Sequence, residues 1–132
     1  MIEVSAGIII NDRDELLICQ RGPGGNCAFL WEFPGGKREP KESWEDCLLR
    51  ECREELNVEI AITGIYERSC YAYPDREISF TFFLAKLISG QPQMQVHQDM
   101  RWVGREQLQA YEFCPADCEV IRRLSESVAI SS

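Results

Sequence analysis

The sequence predicts an α/β fold, an α/β/α sandwich around a mixed β-sheet, and three observations lead there. Runs rich in β-branched and aromatic residues recur at 2–10, 60–73 and 77–88, with turn residues around them. Two other segments, 44–56 and 116–127, repeat apolar residues at helical spacing. The whole is 132 residues, enough for one domain with a single core that needs no staples.

Ile2 to Ile10 is dense in β-branched residues and Asn11-Asp12 breaks it, so a buried strand returns through Glu15 to Gln20 as a hairpin. Arg21 ends that second strand. Gly22-Pro23-Gly24-Gly25-Asn26 reads as a mobile loop, and its glycines alone do not mark a phosphate cradle. Leu30-Trp31-Glu32-Phe33 is extended and leads into Pro34-Gly35-Gly36. Glycine there lets the backbone turn tightly and present bare carbonyls, one of which can serve as a metal ligand.

Ser43 is an N-cap, with Asp46 three residues on as a variant capping box, for a helix from Trp44 to about Leu56. Leu48, Cys52 and Leu56 form its inward stripe. Asn57 substitutes for glycine in the left-handed conformation that ends a helix. Residues 60 to 73 and 77 to 88 form a second hairpin around Tyr73-Pro74-Asp75-Arg76. Arg101-Trp102-Val103 is a short strand and Glu106 to Ala110 a brief helix. Ala116 to about Ser127 is an amphipathic helix with Val120, Ile121 and Leu124 inward. The two main helices are expected on opposite faces of the sheet.

The formal charge of −8 argues against a DNA or RNA polymer as partner, because binding a nucleic-acid backbone needs clustered lysine and arginine. A small nucleotide is different, since magnesium can bridge its phosphates to carboxylates. The cysteines at 19, 27, 47, 52, 70, 114 and 118 are odd in number and contain no Cys-x-x-Cys pair, so they form no disulfide framework. Cys19, Cys47, Cys52 and Cys70 fall in apolar or periodic segments, which predicts buried, reduced thiols in a cytoplasmic compartment. Cys114 and Cys118 read as packing residues rather than a zinc pair. No apolar stretch approaches the length of a membrane span, and the first residues lack a charged region followed by an apolar one. Both point to a soluble protein without a membrane partner.

The chemistry concentrates in residues 36 to 58. On one helix face, positions three and four apart lie one above the other, so Glu51, Glu54 and Glu55 project together and repel. A solvated acidic face is one reading of such a cluster. The other is a hard divalent cation that takes carboxylate oxygens, waters and substrate phosphates; magnesium fits best, with manganese as a substitute. Arg50, next to Glu51 and one turn before Glu54, would hold a carboxylate in place rather than react. Gly36, Glu42, Arg50, Glu51, Glu54 and Glu55 meet at these offsets by chance with a probability on the order of one in ten thousand, given ordinary residue frequencies.

These residues resemble the Nudix box, Gly-x5-Glu-x7-Arg-Glu-aliphatic-x-Glu-Glu-x-Gly-aliphatic, with Cys52 in place of the aliphatic residue and Asn57 in place of the second glycine. Beyond the box, the chain resembles MutT-type Nudix hydrolases in Ala6-Gly7-Ile8-Ile9, Gln20-Arg21, Trp31-Glu32-Phe33-Pro34-Gly35-Gly36-Lys37, Tyr73-Pro74-Asp75-Arg76-Glu77-Ile78 and Phe113-Cys114-Pro115-Ala116-Asp117. The resemblance implies the Nudix sandwich and a magnesium-dependent conversion of a nucleoside triphosphate to the monophosphate and pyrophosphate, directed at 8-oxo-dGTP or a similar damaged nucleotide. It assigns magnesium to Gly35, through its carbonyl, and to Glu51, Glu54 and Glu55. Glu54 or Glu51 would accept the proton of the attacking water, with Arg50 orienting them. Arg21 would contact the phosphates and the base would lie near Phe33 and Asp117. Phe33 and Tyr73 either stack on the base or belong to the core. Gly36 and Glu42 would complete the motif structurally.

Two departures bear on the assignment. Relatives often carry a further Glu in the loop before the strand of Trp102, where this chain has Val96, which shifts the base role onto the helix. His97 beside it reads as an exposed loop histidine unless it aids catalysis. Asp117 follows Pro115-Ala116 as in relatives directed at cytidine triphosphates, where MutT-type members carry Asn. A carboxylate there accepts from N1–H and N2–H of an oxidised guanine or from N4–H of cytosine, and faces the N3 lone pair of cytosine unless one group is protonated. Asp117 as the cap of the last helix is the plainer alternative. The competing functions are a CTP or modified-dCTP pyrophosphohydrolase and a nucleotide-sensing module that does not hydrolyse.

Overall fold

Strand β1 (Ile2–Ile10) organises the sheet, because it pairs in parallel with β6 (Arg76–Ser89), from Ile2↔Ile78 to Ile10↔Lys86, and antiparallel with β4 (Gly35–Lys37), from Val4↔Lys37 to Ala6↔Gly35. The structure, a computed structural model, describes residues 2–126. β2 (Leu16–Gln20) meets β1 at Ile10↔Leu16 and pairs antiparallel with β3 (Trp31–Glu32) and β7 (Asp99–Val103). β5 (Glu59–Tyr73) runs antiparallel along β6 at the far edge, so the order is β3-β2-β1-β6-β5 and the sheet is mixed.

Helices lie on both faces. Adjacent residues of a strand point to opposite sides, so Ile8 and Ile9 enter different cores. Ile9, Leu17, Cys19, Phe83 and Ala85 meet Leu48, Cys52 and Leu56 of α1 (Trp44–Leu56), the predicted stripe. Gly7 keeps this approach close: a Cβ on it would stand 3.2 Å from the Leu48 side chain. On the other face Ala6, Ile8, Leu16, Ile18 and Phe82 pack on Val120, Ile121 and Leu124 of α2 (Cys118–Glu126). The predicted sandwich is therefore the observed one.

The differences are local. The brief helix is a 3-10 segment, Arg105–Ala110, closed by bonds three residues apart, with the amide of Gln107 on Gly104 O at 3.0 Å and that of Tyr111 on Leu108 O at 3.2 Å. The last helix starts as a 3-10 turn, Pro115–Asp117, because Pro115 has no amide and the Asp117 N–H bonds Cys114 O at 2.9 Å; α2 proper begins at Cys118. Its predicted end at Ser127 lies outside the described residues. Cys19, Cys47 and Cys52 are buried as expected, but Cys70 is exposed, because β5 is the outer strand and only its Ile60 is buried. Among the described residues no helix is long and apolar enough to cross a membrane.

Candidate active site

Helix α1 is fixed at both ends. Ser43 Oγ accepts the amide of Asp46 at 3.0 Å, and Asn57 takes φ 57° and ψ 43°, the left-handed stop its sequence position predicts. Between these caps Glu51, Glu54 and Glu55 share the helix with Arg50, which gathers the segment. Its guanidinium donates to Glu42 Oε2 at 2.6 Å and Oε1 at 3.0 Å, to Glu51 Oε2 at 3.0 Å, to Glu54 Oε1 at 3.1 Å and to Lys37 O at 3.1 Å. Glu42, drawn by Arg50, has its carboxyl lowered to about 2. Arg50 thus ties the loop carboxylate, the helix carboxylates and β4 into one network.

The glycines make room for it. A Cβ on Gly36 would lie 2.3 Å from the Glu51 carboxyl carbon, and one on Gly35 would lie 2.0 Å from Ser5 O of β1. Gly35 therefore serves the β4–β1 contact while Gly36 admits Glu51.

A cavity of about 540 Å³ opens beside this helix, and among its lining residues are Arg21, Phe33, Gly35, Glu55, Tyr73 and Asp117. Glu51, Glu54 and Arg50 stand outside that lining, with the Glu54 side chain 60% exposed. A smaller cavity of about 360 Å³ adjoins it between Gly22-Pro23-Gly24 and His97; Arg21, Glu32 and Glu55 belong to both.

Glu55 is the carboxyl of the ridge turned inward. Its Oε1 is buried without a hydrogen-bond partner, and burial, followed by the charges of Glu51 and Glu32, pushes its carboxyl up to about 8. Burial also raises Glu51. A buried, unpartnered carboxylate oxygen beside a second crowded carboxyl suits a hard cation. Among the described residues no three His, Cys, Asp or Glu side chains already converge as a cage. A magnesium ion that keeps several waters and takes phosphate oxygens does not need one.

Asp117, which also lines the larger cavity, is buried and its Oδ2 accepts the Phe33 amide at 3.2 Å. Its side chain reaches across to the β3–β4 connection rather than capping α2, which overturns the capping alternative. Burial, and next the charge of Glu32, raise its carboxyl to about 8. Phe33 is both core and cavity wall, with its ring 6.4 Å from Phe82 and 6.1 Å from Phe113. Tyr73 OH lies 3.9 Å from Cys27 Sγ at the cavity's margin.

Glu32 carries no role among the sequence-based expectations, and His97 lies elsewhere than the exposed position expected of it. Glu32 accepts from Arg21 Nη1 at 3.2 Å and faces His97 Nε2 at 3.0 Å. His97 is not an exposed loop residue; its side chain is only 4% exposed. A charged residue inside the apolar run Trp31-Glu32-Phe33 was a readable signal for Glu32. No local signal pointed to the burial of His97 against Glu32, a partner 65 positions away.

Comparison with known proteins agrees with this geometry. The model of the NUDIX domain matches residues 1–124. An 8-oxo-dGTP diphosphatase of Haemophilus influenzae is 38% identical over 94% of this chain and 91% of its own. A CTP pyrophosphohydrolase of Escherichia coli is 36% identical over 92% of this chain and 89% of its own. A solved MutT structure, described for Aliivibrio salmonicida and Vibrio cholerae, superposes with a TM-score of 0.79 at 31% identity, covering 96% of this chain and 97% of that one. With the box residues gathered around Arg50 and the family's pattern running the length of the described fold, the chain belongs to the NUDIX domain family and is a phosphoanhydride hydrolase.

Proposed function

We propose that this hydrolase is a MutT-like, magnesium-dependent nucleoside triphosphate pyrophosphohydrolase that releases pyrophosphate and a monophosphate, with 8-oxo-dGTP or a similarly damaged nucleotide as substrate. The observation that carries this reading is the buried, unpartnered Oε1 of Glu55, a residue that lines the larger cavity together with Arg21 and Asp117.

Glu51, Glu54, Glu55 and the Gly35 carbonyl would hold magnesium, or manganese in its place. Bound there, the ion supplies neutralisation of phosphate oxygens that otherwise repel a nucleophile. The chain's own residues do the rest. Arg21 contacts the phosphates from the rim shared by both cavities. Arg50 keeps Glu51 and Glu54 in fixed rotamers, and whichever of them is not saturated accepts the proton of the attacking water. Phe33 and Tyr73 flank the base, and Asp117 reads its edge with the oxygen that Phe33 leaves free. A purely sensing role would leave this ordered acidic ridge without a use. A cytoplasmic, reducing setting accords with seven free cysteines.

A second reading, CTP or modified-dCTP hydrolysis, is favoured by the same Asp117. With its carboxyl near 8 it carries a proton at neutral pH, which removes the clash with the cytosine N3 lone pair and leaves the carbonyl to accept from N4–H. Incubation with magnesium and a panel including 8-oxo-dGTP, dGTP, CTP and dCTP, with pyrophosphate as readout, decides between them. Pyrophosphate from 8-oxo-dGTP above all others is expected; preference for CTP selects the second reading, and no pyrophosphate from any nucleotide refutes both.

A further inference from the structure

His97 sits in a segment that is otherwise open to solvent, with neighbouring Val96 62% exposed. The segment is strapped down on either side of the histidine. The amides of Gln93 and Gln95 donate to Leu56 O at 2.9 Å and Glu55 O at 3.3 Å at the end of α1, and the Gln98 amide donates to Gln20 O at 2.9 Å at the end of β2. Between these straps the imidazole is pressed against Glu32, Nε2 to Oε2 at 3.0 Å. A carboxylate only accepts, so Nε2 carries the proton and Glu32 decides the tautomer. The second oxygen of Glu32 accepts from Arg21 Nη1 at 3.2 Å. His97, Glu32 and Arg21 therefore form one chain of contacts that runs from the smaller cavity, which His97 lines, to the wall that Glu32 and Arg21 give to both cavities.

We propose that His97 is a positioning residue for the hydrolysis: by pinning Glu32 it holds the Arg21 guanidinium in the orientation that meets the substrate phosphates. Arg21 and Glu32 alone would be a loose tether, since the Arg21 side chain is 42% exposed and such pairs contribute little order by themselves. A second donor on the other oxygen of Glu32 leaves its carboxylate less free to rotate away from Arg21. His97 is that donor. The inference rests on the assignment of Arg21 to the phosphates.

The test is kinetic, with 8-oxo-dGTP or CTP, whichever the wild-type protein hydrolyses faster. His97→Phe keeps the ring and its burial but cannot donate; His97→Gln returns an N–H near the place of Nε2. His97→Phe should raise KM about tenfold with kcat within about twofold, the size of one charge-assisted hydrogen bond, while His97→Gln stays within about threefold of wild type. In an Arg21→Ala background, itself raised in KM, His97→Phe should add nothing further. An unchanged KM in His97→Phe, the same rise in both backgrounds, or a Gln variant as impaired as the Phe variant overturns the proposal. If Arg21→Ala leaves KM untouched, the phosphate assignment is what has failed. Should His97→Phe not fold, His97→Asn takes its place: its amide is too short to reach Glu32, so a KM equal to that of His97→Gln overturns the proposal.

Discussion

Arg50 grips Glu42 through a two-pronged contact, Nε to Oε2 at 2.6 Å and Nη2 to Oε1 at 3.0 Å, and so anchors helix α1 to the loop that precedes it. Only a planar fork spans Glu42, Glu51 and Glu54 at once. Arg50→Lys should lower kcat by about tenfold or more with KM nearly unchanged, because Arg50 stands outside the cavity lining. Steady-state kinetics with the fastest nucleotide checks this; a rise in KM at constant kcat would instead put Arg50 on the substrate.

Neighbouring glycines should fail in different ways. Gly35→Ala drives a methyl into the backbone of β1 and should lower the melting temperature, whereas Gly36→Ala meets the Glu51 carboxyl and should lower turnover more than stability. Thermal unfolding beside kinetics separates the two, and equal effects on both quantities in both variants would contradict the assignment.

Burial raises Asp117 from 3.8 to about 8, so the native protein keeps a proton that the unfolded chain gives up between those values. Its contribution to stability is therefore full at low pH, declines as pH rises through that window and is level above it. Asp117→Asn has no such group and should lose less stability than wild type between about pH 5 and pH 8, visible in urea midpoints across pH. The same variant should reorder the nucleotides hydrolysed more than it changes the maximal rate. An unaltered substrate ranking would remove Asp117 from the base pocket.

Glu55 offers a direct sign of the cation. Its carboxyl is near 8 without metal, so if Glu55 ligates magnesium as proposed, uptake at neutral pH should release close to one proton and tighten as pH rises towards 8. Titration calorimetry in buffers of different ionisation enthalpy measures the released proton. Binding without proton release would place the ion elsewhere.

The parts of this molecule that depend on neighbours in sequence were legible in it. The caps Ser43 and Asn57, the stripe Leu48, Cys52 and Leu56 and the hairpin around Tyr73-Pro74-Asp75-Arg76 all follow from local periodicity and turn chemistry. The parallel pairing of β1 with β6 has no local signal; it rests on contacts some 76 positions apart, such as Ile2↔Ile78. Asp117 reaching the Phe33 amide and His97 reaching Glu32 are of the same long-range kind, which is why a cap and an exposed loop residue were the natural expectations for them. Cys70 misled because an edge strand and a central strand carry similar residues and differ only in what covers them.

The most direct measurement compares pyrophosphate release from the preferred nucleotide by wild type and by Glu54→Gln, in magnesium, with thermal unfolding of both. The side chain of Glu54 is 60% exposed and bonded to Arg50, so the fold should tolerate the change. A loss in turnover of about 10² or more at an unchanged melting temperature is expected if the ridge binds the cation or takes the proton. Near-normal turnover by Glu54→Gln would contradict it.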